Sequence, residues 1–231
     1  MSINPQWSRI AAFIKKSPVG LDISDRTIEM VELAEEGKEV KITNMSRALL
    51  PKGVVERGRI KDAQKLAAAL NQAMKNARPE PITPKRVIFG IPEGQMYTHI
   101  FELGAHKREE RDGLVKEEVR TSLPLQEEEA LFTYTTLYES PRRVGIALIA
   151  VNKTVFAEWQ NFFIKNGWEM EMYESETLAT ARGLFNAPVQ SPVCIVDIGS
   201  AATTIALFSS KGLQHLQSLP DAGDAITLSL S

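Results

Sequence analysis

The feature that most constrains this chain is an internal repeat: a meander of three short strands whose first strand ends in aspartate. Val19 to Ile23, Thr27 to Leu33 and Lys38 to Met45 read as three strands joined by tight turns. Val193 to Ile198, Thr203 to Phe208 and Leu213 to Leu219 repeat the pattern. The two sets align without a gap. Asp22-Ile23-Ser24 lies over Asp197-Ile198-Gly199, and Thr27-Ile28-Glu29-Met30 lies over Ala202-Thr203-Thr204-Ile205. A helix follows each set, over about Asp62–Ala77 and from Asp224 onward. A repeat of this kind predicts an α/β chain with two matching halves.

An apolar strand that ends in Asp-x-Gly and runs into small hydroxyl residues has a definite chemical use. Glycine allows positive φ and lets backbone N–H groups come close to a phosphate. Ser200 and Thr203 add hydroxyl donors. Asp197, and Asp22 in the other copy, stand where a carboxylate holds Mg²⁺ through water. The candidate phosphate-side residues are therefore Asp22, Ser24, Asp197, Gly199, Ser200 and Thr203. No residue is assigned a catalytic role.

Between the meanders, Leu66, Ala69, Leu70, Ala73 and Met74 give the helix after Asp62 one apolar stripe, with Asp62 as its N-cap. Arg86–Ile91 is nearly continuous in apolar residues, as a central strand is. The block from 95 to 173 then reads strand, helix, strand, strand, helix, strand, the split β-α-β-β-α-β order of a compact subdomain. A helix over 175–186 follows, with Ser175 and Thr177 as capping candidates. Phe156, Trp159, Phe162 and Phe163 recur at helical spacing and read as core, with part of that face available to a partner groove. Glu93-Gly94 reads as a simple turn. At the N-terminus, Trp7, Ile10, Ala11 and Ile14 mark an amphipathic helix expected to dock on its own domain.

Composition excludes several classes. Apolar residues make up 43% of the 231 and charged residues 24%, an ordinary globular balance. A formal net charge of -2 offers no field for nucleic acid. No run of about 18 apolar residues is present to span a bilayer, and the start lacks the order of a signal peptide. The one cysteine, Cys194, suits a reducing compartment and reads as a small buried hydrophobe. His99, His106 and His215 are too dispersed for a zinc site, and no P-loop or Gly-x-Ser-x-Gly elbow occurs.

Val19-Gly20-Leu21-Asp22-Ile23-Ser24 and Val196-Asp197-Ile198-Gly199-Ser200 resemble the two phosphate motifs of the actin-like ATPases. Other stretches resemble, in order, the PilM family of type IV pilus assembly proteins, relatives of FtsA. They are Phe13–Lys16, Leu50–Val55 with Gly58-Arg59-Ile60, Val87–Pro92 and Glu117–Leu125. The resemblance covers nearly the whole chain and implies an actin-like (ribonuclease H-like) fold with an inserted subdomain. It divides the chain into an N-terminal segment (1–17), the first part of one half (18–94), the insert (95–173), a return helix (174–192) and the opening of the second half (193–231). It further implies a cytoplasmic protein, peripheral to the inner membrane, that binds the N-terminal tail of a bitopic PilN-like partner. Self-association is a further mode of contact, and ATP or ADP with Mg²⁺ lies in the cleft between halves. The expected peptide groove lies between the insert and the first half.

This chain departs from the pattern at the first turn. Ser24, Asp25 and Arg26 stand where the family has glycine and small hydroxyl residues, and Glu29 replaces its lysine. Asp25 is expected to set a negative charge beside the polyphosphate, with Arg26 offsetting it or pairing with it on the surface. The Gly-Gly adenosine motif of the resemblance would fall beyond residue 231. The expectation is a degraded first turn, an intact second turn, weak nucleotide binding by this chain, and an apolar face on the helix from Asp224. Two other readings stay open: the cytoplasmic domain of a GspL-like type II secretion protein, and a phosphotransferase of the same superfold.

Overall fold

The structure is a computed structural model and describes residues 18–37, 39–83, 85–185, 187, 189–220 and 222–230. The amphipathic helix expected over residues 1–17 lies outside the described residues. The main sheet has five strands: β1 (Val19–Ile23), β2 (Thr27–Glu36), β3 (Glu39–Leu49), β6 (Arg86–Ile91) and β10 (Glu169–Ser175). They stand in the order β10-β6-β1-β2-β3. The meander pairs antiparallel, while β1, β6 and β10 run parallel. This is the sheet expected of one actin-like half.

The pleat decides which residues face the core. Along β1, Val19, Leu21 and Ile23 are buried, while Gly20 and Asp22 alternate to the other face. In β6, Val87, Phe89 and Ile91 are buried on the same side. Two helices cover that side, α1 (Ala63–Lys75) and α3 (Lys153–Lys165). Asp62 caps α1 as expected, accepting the N–H of Lys65 at 3.0 Å. The aromatic stripe of α3 is core: Trp159, Phe162 and Phe163 are at most 4% exposed. Phe89 meets the ring of Trp159 at 4.8 Å and that of Phe163 at 5.1 Å. These rings are sealed inside the first half, so Trp159, Phe162 and Phe163 do not line a partner groove.

The insert is shorter than its sequence order suggests. Strands β7 (Met96–Gly104), β8 (Ala130–Glu139) and β9 (Arg143–Asn152) form a separate sheet in the order β7-β9-β8. Helix α2 (Arg111–Ser122) covers one face through Val115 and Val119. The last helix and strand of the six-element order leave this sheet. Helix α3 packs on the main core, and β10 pairs in parallel with β6. Trp168 and the aromatic face of α3 draw them there, because both are buried in the larger core.

Helix α4 (Glu176–Leu184) then leads to a second meander of β11 (Val193–Ile198), β12 (Thr203–Ser209) and β13 (Gly212–Leu219), and helix α5 (Gly223–Leu230) follows. Ser175 caps α4, accepting the N–H of Leu178 at 3.2 Å, whereas Thr177 sits inside the helix. Cys194 is exposed rather than buried, because it shares the outer face of β11 with Val196 and Ile198. On α5, Ile226, Leu228 and Leu230 are exposed as expected.

One element has no counterpart in the sequence reading. Strands β4 (Val55–Glu56) and β5 (Arg59–Ile60) form a small hairpin whose two-residue turn is Arg57-Gly58. Both turn residues have positive φ, 50° and 70°, the requirement of a type I′ turn. The turn is closely packed: a Cβ on Gly58 would stand 2.8 Å from Cβ of Pro92 and 2.9 Å from Cγ of Gln95. Gly58→Ala combines strain with overlap and is expected to lower unfolding free energy by about 2 kcal/mol. Gly94→Ala meets no atom within 4 Å and should cost less than about 1 kcal/mol. Urea denaturation of the two variants checks this, and equal losses would contradict it.

Candidate functional site: an acidic cleft and an apolar groove

Asp22 lies at the end of β1 on the face away from the core, directly across from Glu29 on β2. Its parallel neighbour strand carries Gly90, which leaves a bare patch of backbone beside it. Glu176, the first residue of α4, packs over that patch. A Cβ on Gly90 would come 2.9 Å from the Glu176 Cγ. Across it, the carboxyl groups of Glu176 and Asp22 come close enough to act on each other's titration.

The electrostatics agree. The Asp22 side chain is open to the cleft, yet the protein around it removes much of its hydration. That desolvation, with the charges of Glu29 and Asp197, pushes it up to about 6 from 3.8. Burial and the neighbouring Asp22 charge raise Glu176 well above the ordinary carboxyl value. Both carboxyl groups are therefore drawn toward the protonated form. Glu176 also accepts the N–H of Glu93 at 3.2 Å.

Glu93 is not part of a simple turn. It begins a short 3-10 turn over Glu93–Gln95 and is only 6% exposed. Its carboxylate accepts from the Ser175 hydroxyl at 3.0 Å and the Thr177 N–H at 3.3 Å, at the N-terminus of α4. Burial still raises its pKa against those donors. Glu93 and Glu176 thus bind each other's segments reciprocally.

The first turn is closed by its own side chains. Ser24 Oγ accepts the N–H groups of Arg26 at 3.2 Å and Thr27 at 3.0 Å, and lies 2.9 Å from the Thr27 hydroxyl. These are N–H groups that a phosphate would need. Asp25 does not face the cleft beside a polyphosphate, nor does it pair with Arg26. It turns away and accepts from Arg57 N–H at 2.7 Å and Gly58 N–H at 3.1 Å. Arg26 reaches across to Asp224 on α5, at 2.7 Å. Glu29 pairs with Arg47 at 3.0 Å.

At the second turn, Asp197 faces Thr204 across the strand pair, and its charge reaches Asp22. The structure therefore brings the two aspartates to one cleft. Gly199 donates to the Ala202 carbonyl at 2.9 Å, and a Cβ on it would stand 2.9 Å from that oxygen. Close approach, not positive φ, is what this glycine permits. The Gly199 and Ser200 carbonyls accept from Gly223 and Asp224 at 2.9 and 3.0 Å. Thr203 opens β12, paired with Ile198 and Leu219. These residues do not fit a tightly held Mg-nucleotide. Ser24 holds the Arg26 and Thr27 N–H groups, Glu29 adds a carboxylate beside Asp22, and Asp22 itself is shifted toward its neutral form. Among the described residues no group of three or more His, Cys, Asp or Glu side chains is placed to hold a metal ion.

A second concavity lies on the insert side. It is a groove of about 350 Å³ lined by Thr135 and Leu137 of β8, Ala147 of β9, Phe185 after α4, and Phe208 and Leu213 of the second meander. Its wall is thus the β12–β13 hairpin as well as α4, not the first half's sheet alone. Strand β8 is an edge strand of the insert.

Comparison with known proteins places this geometry. A profile of the family described as type IV pilus assembly protein PilM matches residues 20–227. The fold is similar to that of a PilM–PilN type IV pilus biogenesis complex, with a TM-score of 0.78 and 15% identity over 93% of this chain. It is also similar to the cytoplasmic domain of EpsL, an inner membrane component of the type II secretion system of Vibrio cholerae (TM-score 0.56, 9% identity, 87% of this chain and 70% of that one). The ethanolamine utilization protein EutJ from Carboxydothermus hydrogenoformans gives 0.50 at 15% identity, over 96% of this chain and 59% of that one. The chain spans 65% of the length of the pilus protein it matches. No curated protein matches by sequence. The fold is actin-like.

The pKa of Asp22 has a consequence for stability. Raised from 3.8 to about 6, Asp22 favours folding in its protonated form. That contribution is full below 3.8 and is lost as pH rises through about 6, and the raised pKa of Glu176 acts in the same direction. Asp22→Asn removes the titration while keeping a partner for Glu176. Its urea midpoint relative to the unaltered chain should therefore rise between pH 4 and pH 7. A difference that stays constant over that range would show that Asp22 does not titrate there.

Proposed function

Because the chain belongs to the family of type IV pilus assembly protein PilM, we propose that it is a scaffold of a pilus assembly complex that holds a partner's tail. The partner is a bitopic PilN-like membrane protein, and the tail is its short cytoplasmic N-terminal segment. The groove of about 350 Å³ beside β8 is the observation that carries this reading. Its apolar wall is Leu137 and Phe185, with Phe208 and Leu213 of the core beneath them. Strand β8 runs along it with one edge unpaired among the described residues, on which a peptide gains backbone hydrogen bonds as an added strand. Alternate side chains of such a strand point one way, into the groove.

In this reading the protein works on the cytoplasmic side of the inner membrane and is held there by its partner. Among the described residues no helix is long and apolar enough to cross a membrane. Nucleotide has no assigned part, since the first turn has bound its own N–H groups to Ser24. A phosphotransferase reading would need that turn open.

Calorimetric titration with a synthetic tail of the partner tests the site. Leu137→Lys should weaken binding at least tenfold, about 1.4 kcal/mol, without lowering the melting temperature. Met172→Lys, at an exposed position of β10, should leave binding unchanged. Wild-type affinity in Leu137→Lys would remove the groove as the docking site.

A further inference from the structure

We propose that Arg26 and Asp224 form a latch that fixes the two aspartate meanders against each other, the Asp224 carboxylate standing where a ligand anion would meet the first turn. Ser24 already holds the backbone N–H groups of that turn. The guanidinium of Arg26 is what the turn extends outward, and the chain supplies its own carboxylate at 2.7 Å.

The far end of the latch is built onto the second turn. The Asp224 N–H donates to the Ser200 carbonyl at 3.0 Å, and the Gly223 N–H to the Gly199 carbonyl at 2.9 Å. A Cβ on Gly223 would stand 3.2 Å from that same Gly199 oxygen, so α5 begins in close contact with the turn. Helix α5 has no buried residue of its own. Among the described residues its attachments include the buried Ala222, the two backbone bonds and the latch. The negative charge of Asp224 is also favoured in the first turn of α5.

The consequence concerns regulation. In a cleft that closes on a nucleotide, the ligand's phosphates bridge the halves. Here an arginine and a carboxylate of the chain bridge them, so closure needs no ligand. The latch does not depend on the peptide groove, and it stands or falls whether or not a tail binds there.

Hydrogen exchange on the whole chain, read by mass spectrometry, tests it. Asp224→Asn should speed exchange together in 24–27, 199–204 and 223–230, by up to about fivefold for a pair this exposed. Arg26→Gln should give the same pattern, and the double variant no more than either alone. Millimolar Mg-ATP should leave the three segments of the unaltered chain unchanged. Loosening confined to 223–230, no loosening at all, or additive effects in the double variant would overturn the latch. Strong protection of 24–27 by Mg-ATP would overturn the claim that Asp224 takes the anion's place.

Discussion

The carboxylate of Asp25 sits on the two N–H groups of the Arg57-Gly58 turn, and much of the molecule is positioned through that contact. A type I′ turn leaves its N–H and carbonyl groups pointing outward, and here each one used finds a different segment. Gln95 donates to the Arg57 carbonyl at 2.7 Å, and the Trp159 indole donates to the Gly58 carbonyl at 3.1 Å. Just beyond, Glu158 grips Arg59 through two nitrogens and accepts the Ile60 N–H. The small hairpin thus ties the first turn to Glu93–Gln95 and to α3. From Glu93 the chain of contacts continues through Glu176 to Asp22, and so returns to β1, just before the turn that carries Asp25. These contacts form a ring in which the Trp159 bond to Gly58 is buried while the Arg57 bonds to Asp25 and Gln95 are exposed. Breaking the buried bond leaves a buried group unsatisfied.

This ring explains why the cleft looks like a phosphate site without being equipped as one. The strand geometry of the actin-like repeat is kept, because Val19, Leu21 and Ile23 are packed in the core and the pleat must then set Asp22 outward. What has changed is the use of the turn residues. Ser24 satisfies the turn internally, Asp25 serves the hairpin, and Arg26 serves α5. The same positions that would receive a ligand have become joints of the scaffold. Rigidity of this kind agrees with the proposed role of presenting a fixed groove.

The sequence revealed the fold where periodicity carries it. Both meanders, α1 with its Asp62 cap, and the aromatic stripe of α3 are patterns of apolar spacing, and burial follows them. It revealed less where pairing partners decide the outcome. Glu169–Ser175 looks like the last strand of the insert in sequence, but only the burial of Trp168 and α3 in the larger core shows which sheet it joins. Strands β4 and β5 were hidden because Arg-Gly is not the usual Asn-Gly signal of a type I′ turn. At the site, both aspartates and their turns were legible, but the partners of Asp25 and Arg26 were not, since they lie 32 and 198 residues away. Glu176 and Glu93 were missed as well. One signal was available: Gly90 inside an otherwise apolar central strand marks a place where something approaches closely, and that something is Glu176.

In the proposed role the protein is a preassembled scaffold whose groove does not depend on nucleotide. The most direct test is the affinity for the partner's tail, measured by calorimetry with and without millimolar Mg-ATP. The two affinities should agree within about twofold, a difference under about 0.5 kcal/mol. Binding that appears only with Mg-ATP, or that changes tenfold or more with it, would contradict the claim.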